Sequence, residues 1–149
     1  SIGVSNYTIK MLEEACATLD DMPVCNQVEF HPYLDQSKLF AAATRLGIAL
    51  SAYCPLAKGR IFGDPVINAL AAKYDRSEAQ IILRWIVQKG VSANPMSTKP
   101  ENLSANIDAV NFNLSAPDSA AIDRLGKKGL RIVDKDRMPI APEWDWYFS

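Results

Sequence analysis

The chain has 149 residues, of which 48% are apolar and 22% charged, with a formal net charge of −1 at neutral pH. That length allows one domain with a sizeable core, and the near-zero charge argues against a large nucleic-acid footprint, which needs a basic excess. No apolar run approaches the roughly 20 residues of a membrane span. Ser1-Ile2-Gly3-Val4-Ser5-Asn6 carries neither the basic start nor the cleavage site of a signal peptide. It reads as a strand entered without a preceding loop, the first hint of a fragment. Cys16, Cys25 and Cys54 are odd in number and form no C-x-x-C pair, so reduced thiols in a cytoplasmic protein are expected. The single His31 argues against a multi-histidine metal site.

Val4 closes a short apolar stretch, and Thr8 can cap a helix with Ile9, Leu12, Cys16 and Leu19 as its apolar positions. Pro23 punctuates the chain before Val24-Cys25-Asn26-Gln27-Val28-Glu29-Phe30, which alternates as a strand does. Asp35 opens a second helix with Leu39, Ala43 and Leu46 on one face, and Gly47 stops it. Ile48 to Tyr53 is the third element of strand type. Asp64-Pro65 caps a helix reaching Lys73, and Ser77-x-x-Gln80 is a capping box for another that bears Ile81 and Trp85. Val91 to Pro95 is the fourth predicted strand. Thr98-x-x-Glu101 reads as a capping box for a helix with Leu103, Ile107 and Val110, and Ser115-x-x-Asp118 starts a last helix ending near Gly126. Residues 127–149 form a tail without clear periodicity.

Strand and helix thus alternate four times, with one extra helix before the fourth strand and another at the end. This implies right-handed βαβ units on a parallel sheet. Four units suit either a small doubly wound domain or half of an eight-unit barrel. No G-x-G-x-x-G follows the first strand, which weakens the dinucleotide-fold alternative.

Four blocks now carry a resemblance. Ile2-Gly3-Val4-Ser5-Asn6-Tyr7, Asn26 to Leu34 (N-Q-V-E-F-H-P-Y-L), Ala52-Tyr53-Cys54-Pro55-Leu56 and Ala79 to Trp85 (A-Q-I-I-L-R-W) resemble, in order and spacing, successive signatures of the aldo-keto reductases. The resemblance runs to about Asp145. Ser97 to Leu103 and Ala141-Pro142-Glu143-Trp144-Asp145 look most like the bacterial diketo-gluconate and methylglyoxal reductase branch. The fold so implied is α/β, the C-terminal half (strands five to eight) of a (β/α)8 barrel. Residues 1–126 would form the barrel units and final helix, and 127–149 a substrate-loop tail.

The resemblance also implies a site at the carboxyl ends of the strands, where such barrels work. Ser5, Asn6 and Gln27 match residues that hydrogen-bond a nicotinamide carboxamide, a group needing both a donor and an acceptor. Tyr53 matches the aromatic that stacks on the nicotinamide ring. Leu56-Ala57-Lys58-Gly59 matches the segment whose backbone lies along the pyrophosphate, with Lys58 able to add charge. Ser97, Thr98 and Lys99 precede a helix start where a 2′-phosphate is welcome, and Asn106 matches an adenine contact. Met96, Asn102 and Ala105 stand where Lys, Arg and Glu are usual. The loss of two cations leaves NADH possible beside the expected NADPH.

The proton donor that carbonyl reduction requires is a tyrosine from the family's first half-barrel, and no tyrosine here matches it. The resemblance implies no catalytic residue in this chain, which alone is expected to be inactive. Its expected partners are the N-terminal half-barrel and a small carbonyl substrate, in a parent enzyme that is monomeric, cytoplasmic, and free of nucleic acid and membrane. His31 and Tyr33 belong to the H-P-Y signature and are read as structural. Trp144 could close over substrate, although two tryptophans near a terminus can equally pack against the barrel. The alternative is a non-catalytic half-barrel that pairs with another half or binds nucleotide without chemistry.

Overall fold

A computed structural model describes residues 1–134. Four strands, β1 (Ile2–Ser5), β2 (Pro23–Glu29), β3 (Ala49–Tyr53) and β4 (Ser92–Ala93), alternate with six helices: α1 (Ile9–Thr18), α2 (Ser37–Leu46), α3 (Pro65–Tyr74), α4 (Glu78–Gln88), α5 (Pro100–Asp108) and α6 (Ala116–Asp123). Short 3-10 turns cover Ala57–Gly59 and Arg124–Lys128. The sheet is wholly parallel in the order β1-β2-β3-β4. When consecutive parallel neighbours are joined by right-handed crossovers, every crossover falls on the same face of the sheet. A doubly wound sheet instead reverses its strand order to place helices on both faces. The observed order is that of a barrel wall, in line with the half-barrel expectation over the doubly wound alternative.

Side-chain alternation then sorts the two faces. Val28, Ala52 and Ala93 lie opposite one another in successive ladders, as do Val4, Asn26 and Leu50. Val28, Ala52 and Leu50 are buried with Leu12, Ile81, Ile82, Ile86 and Ile122, so the core lies beneath this face. The opposite row is Ser5, Gln27, Ser51 and Ser92. Ser5, Gln27 and Ser92 are exposed, and Ser92 Oγ donates to Ser51 Oγ at 3.0 Å. This second row is polar, and the helices of the described residues leave Ser5, Gln27 and Ser92 exposed.

Local chemistry accounts for most boundaries. Thr8 caps α1, accepting from the Met11 amide at 3.3 Å. Asp64 Oδ1 accepts from Val66 at 2.9 Å while Pro65 occupies the first turn of α3. The Ser77–Gln80 capping box is fully formed, and α4 buries Ile81, Ile82, Trp85 and Ile86. The Trp85 indole stacks on Phe30 with ring centroids 5.5 Å apart and donates to Asp123 Oδ1 at 2.8 Å, tying α4 to the end of α6. Gly47 ends α2 in the left-handed region at φ 73°, where only glycine sits without strain.

Some expectations need correction. β4 has two paired residues, against the five predicted. α6 ends at Asp123, and the chain continues past Gly126 as a 3-10 turn. The Thr98–Glu101 capping box does not form. Lys99 takes the cap position without a side-chain bond, because Pro100 holds the residue before it extended and shifts the helix entry one residue later. The apolar positions Leu103, Ile107 and Val110 of this helical stretch are 46%, 73% and 53% exposed. Among the described residues no helix is long and apolar enough to cross a membrane, and the three cysteines are free thiols.

Candidate functional site

The carboxyl ends of the strands bring Ser5, Asn6, Gln27 and Tyr53 together. Ser5 Oγ and the Asn6 amide both donate to the Gln27 carbonyl, at 3.1 and 2.9 Å. The Tyr53 hydroxyl donates to Asn6 Oδ1 at 2.9 Å, bridging β1 and β3 over the end of β2. Asn6 has φ 59°, a conformation asparagine tolerates better than most residues. Asn26, buried beneath the sheet, fixes the following loop by accepting from the Tyr7 amide at 3.2 Å and donating to the Tyr7 carbonyl at 3.0 Å. The exposed Gln27 carboxamide makes no hydrogen bond to the described residues. It therefore has both its donor and its acceptor available to a ligand.

Burial raises the Tyr53 phenol above its usual range, the Glu29 charge adds to this, and Arg131 opposes it. Tyr53 is thus held as a neutral ring with a donating hydroxyl. Burial likewise pushes up the Cys54 thiol, assisted by Glu29 and opposed by Lys58. A thiol held protonated is a poor nucleophile.

Directly after Tyr53 the chain turns into a cavity of about 980 Å³. Three segments line it: Cys54 to Leu56 with Lys58, Gly59 and Phe62, Ser77 to Ala79 at the start of α4, and Asn94 to Ser97 with Asn102, Ala105 and Asn106 around the start of α5. The first segment is tightly wound. Cys54, Ala57, Lys58 and Gly59 all have positive φ, at 50°, 48°, 51° and 84°. Non-glycine residues in that region each carry conformational strain, which tends to persist where backbone is shaped for a ligand. The turn is held by Ala57 N–H to the Cys54 carbonyl and Gly59 N–H to the Leu56 carbonyl, both at 2.8 Å. Lys58 is the lining's cation and Glu78 its carboxylate, the latter accepting from the Gly63 amide at 2.7 Å.

Of the expected site residues, the cavity gathers Leu56, Lys58, Ser97 and Asn106. Thr98 and Lys99 are exposed beside it without lining it. Trp144 lies outside the described residues. Sequence reasoning passed over Glu78 and Phe62 in the lining, and over Asn26 and Glu29 behind the strand ends. No tyrosine lines the cavity. Tyr33 instead donates to Asp64 at 2.7 Å, and Tyr74 to Asp118 at 2.5 Å. His31 is fully buried against Glu29 and lies away from the cavity lining. Among the described residues no three His, Cys, Asp or Glu gather as a metal would require.

The sequence pattern of the Aldo/keto reductase family matches residues 1–127. The chain belongs to the aldo/keto reductase family. It is 41% identical over 145 residues to methylglyoxal reductase DkgB of Escherichia coli O157:H7, covering 97% of this chain and 53% of that protein. It is 41% identical over 134 residues to the oxidoreductase ZK1290.5 of Caenorhabditis elegans, covering 90% and 42%. The aldo-keto reductase of Bombyx mori, solved in complex with NADP, superposes with a TM-score of 0.85 at 34% identity, over 95% of this chain and 49% of that one. A Gox0644 mutant in complex with NADPH gives 0.86 at 35%, over 93% and 51%. The chain therefore spans about half the length of the relatives it matches.

Proposed function

We propose that this chain is the cofactor-holding, C-terminal half of a (β/α)8 barrel, strands five to eight, in an enzyme that reduces aldehydes or ketones with NADPH. The observation that carries this reading is the continuity of the two halves of the site. The strand-end group of Ser5, Asn6, Gln27 and Tyr53 runs through Cys54 directly into the 980 Å³ cavity, a volume at the upper end of those that hold cofactors. Ser5, Asn6 and Gln27 would hold the carboxamide end of the cofactor, and Tyr53 would present its ring to the nicotinamide. The left-handed turn at Ala57–Gly59 would meet the pyrophosphate, with Ser97 and Asn106 at the far end and Lys99 on the rim. A bound NADPH supplies the hydride. What this chain adds is orientation and a fixed ring face. Proton donation to the carbonyl oxygen comes from the complementary half-barrel.

That partner fits the surfaces left open: among the described residues β1 and β4 each have one unpaired edge, the row Ser5, Gln27 and Ser92 is exposed, and Leu103 and Ile107 of α5 and Val110 just after it point outward. Open edges and apolar stripes invite pairing. Small carbonyls of the methylglyoxal or 2,5-diketo-gluconate kind are the proposed substrates, supported by the likeness to the Escherichia coli methylglyoxal reductase.

Titration of the protein with NADPH and with NADH, followed by nucleotide fluorescence, tests the reading. Saturable binding of NADPH is expected, with no reduction of methylglyoxal unless the complementary half is supplied. No binding of either nucleotide would overturn it. In the same assay Tyr53→Ala is expected to weaken binding by about 1–2 kcal/mol, from lost aromatic contact and buried area. Unchanged affinity in a folded variant would remove Tyr53 from the site.

A further inference from the structure

Glu29 is a fully buried carboxylate at the end of β2 that the proposed cofactor site does not use. A buried charge needs several compensating donors, and Glu29 has three. Its Oε1 accepts from the Ile132 amide at 2.7 Å and from His31 Nε2 at 2.9 Å, and its Oε2 accepts from the Val133 amide at 2.9 Å. Two of these donors belong to backbone that follows the last helix and its 3-10 turn. Leu130 adds a third tie on that backbone, its amide donating to the Tyr33 carbonyl at 2.9 Å. Tyr53 lies opposite Glu29 in the β2–β3 ladder.

We infer that Glu29 is a positioning residue, an anionic hook that fixes segment 130–133 across the carboxyl ends of β2 and β3 beside Tyr53. The hook requires the ionised form. An ionised carboxylate is purely an acceptor, whereas a protonated acid or an amide turns one of its atoms into a donor. Here that donor would face an amide N–H or the His31 N–H, and one of the three bonds would be lost. Burial favours the neutral acid, but the hydrogen bonds from His31, Ile132 and Val133 outweigh it and hold Glu29 below the usual glutamate range. Ionisable groups that interact with Glu29 are His31, Tyr53 and Cys54, and Arg131 and Asp134 stand beside the hooked amides in the chain.

The inference does not rest on the activity proposed above, and its test needs no cofactor. In Glu29→Gln, hydrogen exchange at the Ile132 and Val133 amides is expected to speed up by about 10-fold or more relative to the parent. Exchange at Val28 and Ala52, within the ladders, should keep its parental rate. In the parent, the amide shifts of Ile132 and Val133 should titrate together with the Glu29 carboxyl, at a midpoint below the usual glutamate value. This second measurement stands even where the variant fails to fold. Unchanged exchange at the two amides, an equal loss of protection throughout the ladders, or amide shifts that ignore the Glu29 titration would each overturn the hook.

Discussion

Asp64→Ala is expected to destabilise the protein by about 3 kcal/mol, the sum of a lost helix cap and a broken buried charge network. Asp64 is buried and has two jobs. Its Oδ1 caps α3 through the amides of Val66 and Ile67, and its Oδ2 accepts from the Tyr33 hydroxyl at 2.7 Å and from Lys128 Nζ at 2.8 Å. Lys128 also sits 3.8 Å from the centroid of the Tyr33 ring. One carboxylate therefore joins the loop after β2, the start of α3 and the turn after α6. Truncation leaves the Tyr33 hydroxyl buried without an acceptor and Lys128 without its anion. For a chain of this size the loss corresponds to a fall of roughly 6–12 °C in Tm, read by thermal denaturation. Asp64→Asn keeps the cap and is expected to lose about half as much. A change within about 0.5 kcal/mol for Asp64→Ala would refute the account, since that is the scatter of ordinary surface substitutions.

The same network sets an acid limit. Burial raises the Asp64 carboxyl, but Lys128, Tyr33 and the Val66 amide together outweigh it and leave it below the usual aspartate range. A carboxylate with a lowered folded-state pKa contributes stability that is present above its unfolded pKa and lost as pH falls through the folded one. Asp64 and Glu29 both have this sign. The stability of the parent should therefore decline on acidification below the ordinary range of these carboxylates. Asp64→Ala should show a shallower decline.

What the sequence disclosed follows the range of the interactions involved. α4 was legible in full because its capping box, Ser77 with Gln80, and its apolar face, Ile81 to Ile86, are both fixed within a few residues. β2 was legible to within one residue at each end through simple alternation. β4 shrank to Ser92–Ala93 because pairing belongs to the sheet and not to the strand alone. The periodicity of Leu103, Ile107 and Val110 identified an apolar face correctly but could not say what covers it, and among the described residues nothing does. At the site, Ser5, Asn6, Gln27 and Tyr53 were named through the family resemblance of the contiguous blocks that hold them, and each block is local in sequence. Glu78 and Phe62 were missed because only the packing of α4 against the β3–α3 loop brings them to Leu56. Glu29 was missed as an anchor because its partners Ile132 and Val133 stand 103 and 104 positions away.

The two lysines near the cavity should divide the cofactor between them. Lys58 lines the cavity within the left-handed turn, where the shared pyrophosphate is proposed to lie. Lys99 stands at the cap position of α5 with its amide bonded to Ser97 Oγ at 3.2 Å, next to a helix start that favours anions. NADPH and NADH differ only by the 2′-phosphate. Lys99→Ala is therefore expected to weaken NADPH by about 1.5–3 kcal/mol, roughly 10- to 100-fold, and to leave NADH nearly unchanged. Lys58→Ala should weaken both nucleotides together and to the same extent, since the pyrophosphate is common to both. The α5 dipole alone contributes about 0.3–1 kcal/mol when exposed. With Met96 and Asn102 uncharged, that dipole cannot replace the lysine. Added salt should shrink the Lys99 effect, because the side chain is exposed and its charge is screened. Dissociation constants of both nucleotides for parent and variants decide the matter. Equal weakening of both nucleotides by Lys99→Ala would make Lys99 a support of the loop. A NADPH-selective loss in Lys58→Ala would move the 2′-phosphate into the cavity and away from the rim of α5.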